Sequence, residues 1–200
     1  MQRLFILSPA KVSGARARLL LNAKAPFALA RQFHREGLSL GEIFTFASGL
    51  YFRGKLTYAR RFASVERGEL IRVITTNRGL LDPTLRFTPD ELRAFGEVDI
   101  HHEDERYFEP LRRDATAISR QLAPGGSAIL LGSIATAKYR EILLECFGER
   151  LFFPRDFVGR GDMSRGGLLL RAALAGVELP YLSVKGAVLK GKRAPRIADM

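Results

Sequence analysis

Short apolar runs recur along the chain and predict the strands of a buried sheet. The first run ends at Ser8 and Pro9, where proline cannot donate a hydrogen bond to a neighbouring strand. Later runs are rich in leucine, isoleucine and valine, which is typical of strands covered on both faces. The predicted strands are residues 3–7, 70–75, 128–131, 151–153 and 181–189, the last as a strand or a hairpin.

Between these runs, apolar residues recur with the spacing of amphipathic helices. Ser39 and Glu42 form a capping-box pattern, and Thr88 stands before Pro89 as a second predicted helix start. Strands that alternate with helices predict an α/β fold, a single domain with a central, at least partly parallel sheet flanked by helices. We assign residues 1–189 to this domain and residues 190–200 to a basic tail that we expect to be mobile. Further predicted helices are residues 14–23, 26–37, 55–63, 109–122, 136–147 and 167–175.

Composition bounds the compartment in which this fold is expected to work. Apolar residues make up 46% of the 200 residues, enough for a core without cross-links. Cys146 is the single cysteine, which favours a reducing compartment. The start of the chain lacks the pattern of a signal peptide, and no run of about 18 apolar residues predicts a membrane span. We therefore expect a cytoplasmic protein without a membrane partner.

The balance of charge changes the functional picture more than the composition does. The chain carries 32 basic and 21 acidic residues, for a net charge of +11. Such an excess raises the local concentration of anions and favours phosphate backbones. A generally basic proteome or a place beside the ribosome would explain the same charge without a specific site. We expect nucleic acid as the partner, and the sequence does not indicate an oligomeric state.

Polar residues stand directly after three of the predicted strands. In an open α/β sheet such residues converge at the carboxyl ends of the strands, where ligands bind. Hydroxyls and cations without carboxylates suit a phosphate or a nucleotide. The alternative is that the hydroxyls only cap the helices that follow. The candidates are Ser8, Lys11, Thr75, Thr76, Asn77, Arg78, Ser133, Thr136 and Lys138.

Two further segments carry candidate contacts to nucleic acid. Tyr51, Arg53 and Lys55 interleave an aromatic ring with cations, a pattern that suits base stacking and phosphate binding. Alternatively, the aromatics belong to the core and the charges form a solvated helix face. Arg160 and Arg165 lie in a predicted glycine-rich loop over residues 157–164 and its continuation, where they could clamp a phosphate or pair with nearby acids.

The histidine and acid run at residues 101–105 is the one sequence pattern that suggests a metal. Adjacent histidines point in different directions, and the helical spacing of a zinc motif is absent. We interpret the run as a solvated acidic loop. The sequence predicts neither a metal site nor a cofactor, and catalytic residues stay unassigned because no nucleophile, histidine and acid stand in a recognisable pattern.

Three segments together resemble a known family. Residues 4–11, Leu-Phe-Ile-Leu-Ser-Pro-Ala-Lys, are similar to the opening strand and turn of the YaaA peroxide-stress proteins. Residues 49–54 resemble a tyrosine-containing turn of those proteins and of their smaller bacterial relatives. Residues 73–83 resemble a strand and loop that end in Gly-Leu-X-X-Pro, and Lys138-Tyr139 is a weaker likeness. The resemblance covers residues 1–145 and implies a cytoplasmic α/β protein with a positively charged, DNA-binding cleft and a link to oxidative stress.

Three hypotheses about function follow from the sequence. The first is a nucleic-acid-binding protein, with DNA favoured over RNA. The second is an enzyme that acts on a nucleotide or nucleobase, by N-glycosidic hydrolysis or base modification, in a hydroxyl-rich cleft at the strand ends. A formed pocket with a buried carboxylate beside Thr75 and Ser133 would favour this enzyme. The third is a protein that recruits a partner through its basic tail.

Overall fold

The computed structural model describes residues 2–63, 70–101 and 103–191. Six strands form one sheet in the order β4-β3-β1-β6-β7-β8, and a two-stranded sheet pairs β2 with β5. The strands are β1 (Arg3–Leu7), β2 (Leu38–Ser39), β3 (Leu70–Ile74), β4 (Leu80–Leu81), β5 (Arg86–Phe87), β6 (Ser127–Leu131), β7 (Leu151–Pro154) and β8 (Tyr181–Ser183). The helices are α1 (Ala15–Leu21), α2 (Ala28–Glu36), α3 (Leu40–Ser48), α4 (Leu50–Phe62), α5 (Pro89–Gly96), α6 (Glu105–Gln121), α7 (Ala137–Phe147) and α8 (Asp162–Ala175), with short 3-10 helices at Gly148–Arg150 and Arg155–Phe157.

The central strand explains why the first apolar run has no polar interruption. β1 pairs in parallel with β3 on one side and with β6 on the other. Leu4, Phe5, Ile6 and Leu7 all have no solvent exposure. A parallel strand that is covered on both faces needs side chains of this kind at every position. The predicted α/β class with a partly parallel sheet flanked by helices is therefore confirmed.

Antiparallel strands close both edges of the large sheet. β4 pairs with β3 at one edge, and β8 pairs with β7 at the other. The segment predicted as residues 181–189 is a strand only at its first three residues, and the two-residue strands β2, β4 and β5 were not among the predicted strands. Two-residue strands give too little alternation of apolar and polar positions to be seen in a sequence.

The glycine-rich segment before residue 167 was predicted as a loop, and this prediction is wrong for its second half. Helix α8 begins at Asp162, five residues before the predicted start at Gly167. α4 and α8 are packed closely, and a Cβ atom on Gly54 would lie 2.6 Å from the carbonyl oxygen of Gly166. Gly54 and Gly166 therefore let the two helix backbones approach each other.

Local capping signals placed the starts of α3 and α5 correctly, whereas α4 begins at Leu50, five residues before the predicted start at residue 55. Both predicted caps at Ser39 and Thr88 are present as capping boxes. α6 begins at Glu105 rather than at the predicted Glu109, because Asp104 caps it by accepting a hydrogen bond from the backbone N–H of Arg106. Residues 192–200 of the predicted basic tail lie outside the described residues. Over the described part of the chain, the helices are too short or too polar to cross a membrane.

Candidate functional site

The order of the strands predicts where a ligand would sit. The chain goes from β1 to β3 on one side and then returns to β6 on the other side of β1. Ligands of open α/β sheets bind where the strand order reverses in this way, beyond the carboxyl ends of the strands. A cavity of about 750 Å³ lies there, within the range of small-molecule sites. We call it the strand-end cleft, and its wall includes Ser8, Lys11, Val12, Ser13, Ala47, Ser48, Tyr51, Thr76, Phe95, Val98, Asp99, His101, Ser133, Thr136, Lys138, Tyr139 and Asp162.

A buried lysine stands behind the wall of this cleft. Lys55 is 1% exposed, and its Nζ donates a hydrogen bond of 2.5 Å to the carbonyl oxygen of Ser8. The same nitrogen lies 2.9 Å from the Ser8 hydroxyl oxygen. Ser8 belongs to the wall of the cleft, whereas Lys55 does not. The amine therefore reaches the cleft only through the serine.

Burial changes the charge state of this amine. Loss of solvation lowers the pKa of Lys55 to about 7, since a buried ammonium loses its hydration. Asp162 opposes this change in pKa and Arg165 adds to it. The rings of Tyr51 and Phe52 lie 4.3 and 4.9 Å from Nζ and favour the charged form. Burial therefore brings the pKa of Lys55 close to neutral pH.

Tyr139 completes a row of polar groups at the base of the cleft. Its hydroxyl hydrogen-bonds with the Ser8 hydroxyl and accepts from the backbone N–H of Ser133. Desolvation raises the pKa of Tyr139, so its hydroxyl keeps its proton at neutral pH. Gly132 makes this approach possible, because a Cβ atom there would lie 2.8 Å from the Ser8 Cβ and 2.9 Å from the Tyr139 oxygen.

Tyr51 adds a polar group with unused hydrogen-bonding capacity. The residue is 6% exposed and lines the cleft. Its hydroxyl oxygen is buried and makes no hydrogen bond of good geometry within the described part of the chain, although the Arg165 guanidinium is a polar neighbour. Buried hydroxyls are usually paired, and an unpaired one costs free energy. A ligand in the cleft could supply the missing partner.

The mouth of the cleft carries charges of both signs. Lys11, Thr136 and Lys138 are exposed on one part of the wall. Asp99 and Asp162 are also exposed there. Apolar residues, among them Ala47 and Ile100, also line the cleft. The cleft therefore combines surface charge, an apolar wall and neutral hydroxyl groups.

Seven predicted residues meet in this cleft, and their distribution tests the helix-capping alternative. Thr136 stands at the start of α7, but its hydroxyl makes no capping hydrogen bond. Ser133 makes only a local bond, accepting from the backbone N–H of Ala135 at 3.3 Å. Capping alone therefore does not explain these hydroxyls. The predicted residues in the wall are Ser8, Lys11, Tyr51, Thr76, Ser133, Thr136 and Lys138.

The turn after β3 contributes less to the cleft than we predicted. Thr75 is fully buried and donates to the Gly79 carbonyl at 3.0 Å, and Asn77 donates to the Ala94 carbonyl at 3.1 Å. Thr76 lines the cleft, but its hydroxyl donates to the Phe95 carbonyl at 2.7 Å. Arg78 forms a 2.9 Å ion pair with Glu91. These polar groups hold the turn and α5 together.

The remaining predicted cations also lie outside the cleft. Arg53 is exposed beside a separate depression that includes Glu42 and Arg60. Arg160 lies 3.3 Å from the Ser164 hydroxyl. Arg165 is 9% exposed and donates hydrogen bonds to the Phe157 carbonyl and to Asp162. Of the two predicted roles, Arg165 therefore has the pairing with a nearby acid, and this pairing lies at the start of α8.

Lys55 is buried, so the alternative that placed it on a solvated helix face is wrong for this residue. Lys55 stands four residues after Tyr51, three after Phe52 and three before Tyr58 on α4. These are the spacings of neighbours on one helix face, and all three aromatics are core residues. That spacing in the sequence could have predicted the burial of Lys55. Asp162 and Phe95 gave no comparable signal, because only the folded chain brings them to the cleft.

The fold and the cleft define the protein as an α/β protein with a polar cleft at the strand-order reversal. In the part of the chain that the structure describes, no three histidine, cysteine or acidic residues are grouped as metal ligands. No family model, no curated protein and no solved structure matches the chain. The resemblance to the YaaA family stays a prediction.

Proposed function

We propose that this protein binds DNA and holds one unpaired nucleotide in the strand-end cleft. The observation that carries the proposal is that two exposed lysines, Lys11 and Lys138, line the same cavity of about 750 Å³. Exposed lysines attract phosphates as point charges, and the net charge of +11 favours approach of a polyanion. We further propose that the protein acts in the cytoplasm.

The wall of the cleft supports the placement of a base inside it. Ala47 and Ile100, which are partly exposed in the wall, offer an apolar surface against which a base can pack. The hydroxyls of Ser8, Tyr51 and Tyr139 offer donors and acceptors to base edges or to the sugar. Proteins that examine single bases take them out of the stack into pockets of this kind.

The predicted enzyme on N-glycosidic bonds receives less support than binding does. A pocket is present, but the buried charged residues in the described part of the chain are Lys55 and Arg165, with no carboxylate among them. Asp82 and Asp104 bind Arg72 and Arg106 and do not line the cleft. The one acid in the wall close to the buried groups, Asp162, has a side chain that is 68% exposed.

Salt-dependent binding of labelled oligonucleotides tests the proposal. We expect a fluorescent single strand to bind more tightly than a duplex, with affinity that falls steeply between low and physiological salt. The double variant Lys11→Glu/Lys138→Glu should lose at least thirtyfold in affinity at low salt. Arg120→Glu is the control, because Arg120 is exposed on α6 and does not line the cleft.

The same titration can overturn the proposal. Equal losses in the double variant and in a second control, Arg112→Glu/Arg120→Glu, would show that only total charge matters. Binding of RNA with higher affinity than DNA of the same sequence would reject DNA as the partner. Binding that does not depend on salt would reject the role of phosphate contacts.

A further inference from the structure

We infer that Ser8 is a catalytic nucleophile, that Lys55 is its general base, and that the substrate is a phosphodiester held in the strand-end cleft. The choice of a phosphodiester rests on the proposed function, whereas the nucleophile rests on the geometry around Ser8. Serine needs such a partner because its hydroxyl is a poor nucleophile at its ordinary pKa, and an adjacent base activates it. Pairs of serine and lysine serve as nucleophile and base in unrelated folds.

Hydrogen bonds connect Ser8 to Tyr139 on one side and to Lys55 on the other. The Tyr139 hydroxyl has the Ser8 hydroxyl and the backbone N–H of Ser133 as its hydrogen-bonding partners. Lys55 Nζ donates a hydrogen bond to Ser8 Oγ at 2.9 Å, and across the same contact the neutral amine accepts the serine proton. A second donor hydrogen of Lys55 is fixed by the Ser8 carbonyl at 2.5 Å. The amine is therefore held within proton-transfer distance of the serine hydroxyl.

The surroundings of Lys55 allow it to work as a base near neutral pH. Loss of solvation lowers its pKa to about 7, close to the value that suits proton transfer under physiological conditions. The titratable and charged groups that face it are Asp162 and Arg165 from α8, Tyr51 from its own helix, and Tyr139 by way of Ser8. Asp162 favours the ammonium that forms during the reaction, and both tyrosines stay neutral because burial raises their pKa values.

The reaction balances without a further reagent other than water. Ser8 Oγ attacks the phosphorus while its proton passes to Lys55, and the bond from phosphorus to the leaving nucleoside oxygen breaks. That oxygen takes a proton from solvent, and Lys55 returns its own to solvent. Water then cleaves the phosphoserine ester and restores Ser8. One phosphodiester and one water give one phosphomonoester and one alcohol.

Labelling with a fluorophosphonate tests the nucleophile without a nucleic acid. An activated serine attacks the phosphorus of this reagent and expels fluoride, and peptide mass mapping then identifies the modified residue. We expect Ser8 to be modified at a rate that rises with pH and is about tenfold lower at pH 6 than at pH 8, since the neutral amine is scarce below its pKa. Ser127→Ala is the matched control, because Ser127 lies at the opposite end of the adjacent strand β6.

Variants of Lys55 separate a base from a structural charge. Lys55→Arg keeps a positive charge but cannot release a proton near neutral pH, and Lys55→Met keeps the length without charge. We expect each to reduce labelling of Ser8 at least a hundredfold while circular dichroism shows a folded protein. Either folded variant with wild-type labelling would overturn the role of Lys55, and absence of Ser8 labelling in the wild-type protein would overturn the nucleophile.

The substrate class is tested separately with end-labelled single-stranded DNA. We expect slow cleavage that is absent in Ser8→Ala, with a phosphoserine adduct trapped by acid quenching. Labelling of Ser8 together with tight DNA binding but no cleavage would reject the phosphodiester and leave the proposed DNA binding intact. Labelling of Ser8 without DNA binding would reject the proposed function and the nucleic acid substrate, while the activated serine would stand.

Discussion

The turn after β1, residues 8–11, and the turn after β3, residues 75–78, both follow a central parallel strand and both combine hydroxyl groups with a cation. Their polar groups are used differently. In the β3 turn, Thr75 bonds to Gly79 and Arg78 bonds to Glu91. In the β1 turn, Ser8 faces the strand-end cleft with Lys55 behind it, and Lys11 is exposed at the mouth. The amino-acid composition therefore predicts a site at both turns. The hydrogen-bond partners show which turn uses its polar groups for structure and which one is a candidate site.

The largest effect is expected from a change that disrupts the β3 turn. Gly79 has φ +67°, and a Cβ atom there would lie 2.5 Å from the Pro110 carbonyl oxygen. Gly79→Ala should therefore lower the free energy of unfolding by about 3 kcal/mol, measured by urea denaturation. Gly96→Ala is the control, since a Cβ atom there meets no neighbour within 4 Å. A loss below about 1 kcal/mol would contradict a rigid structural role for this turn.

Charge reversal contrasts the cations of the two turns directly. The proposed site predicts that Lys11→Glu lowers DNA affinity roughly tenfold at low salt. It also predicts that the slope of log affinity against log salt concentration becomes less negative by about one unit, the value for one lost phosphate contact. Arg78→Glu should change the affinity less than threefold, because Arg78 already pairs with Glu91. Fluorescence anisotropy across a salt series measures both. A larger loss for Arg78→Glu would assign the phosphate contact to the β3 turn.

The buried amine behind the β1 turn should give stability an unusual dependence on pH. The pKa of Lys55 is lowered to about 7 in the folded protein, whereas an unfolded lysine titrates near 10.4. Between these values the unfolded chain binds more protons, so wild-type stability rises with pH, and below about 7 the burial penalty is complete. Relative to Lys55→Met, the wild-type protein should gain roughly 2 kcal/mol between pH 7 and 9. If the free energy of unfolding changed with pH in the same way in both proteins, Lys55 would not be a buried amine with a lowered pKa.

The smallest predicted effect concerns a single hydroxyl of the β3 turn. Thr75→Val removes the donor to Gly79 and the acceptor for the backbone N–H of Arg78. We expect a loss of about 1 kcal/mol in the free energy of unfolding, and unchanged DNA affinity. Thermal unfolding and anisotropy together make the test. A clear loss of affinity in a protein of wild-type stability would mean that Thr75 contacts the ligand.

The sequence predicted the sheet better than it predicted the use of its polar residues. Apolar runs such as residues 3–7 and 128–131 have few alternatives to a buried parallel strand, so the α/β class could be predicted and is confirmed. Helix α8 was predicted to start too late, because the glycines that let α4 and α8 approach also resemble a loop. Close packing between distant segments has no local signature.

The candidate site was predicted in part, for a related reason. Ser8, Lys11, Ser133 and Lys138 follow directly from the rule that ligands bind at strand ends. Whether a hydroxyl such as that of Thr75 is already bonded depends on residues elsewhere in the chain, which no local pattern reveals. Lys55 had a signal in its helical spacing to Tyr51 and Phe52, but its charge suggested solvent.

Hydrogen–deuterium exchange with and without single-stranded DNA tests the location of the site most directly. The account predicts slower exchange in the turns over residues 8–13 and 133–138, which border the strand-end cleft. The exposed arginines of α6, Arg112, Arg113 and Arg120, form the contrasting basic surface. Protection confined to residues 109–120, with unchanged exchange at both turns, would contradict the cleft as the place where DNA binds.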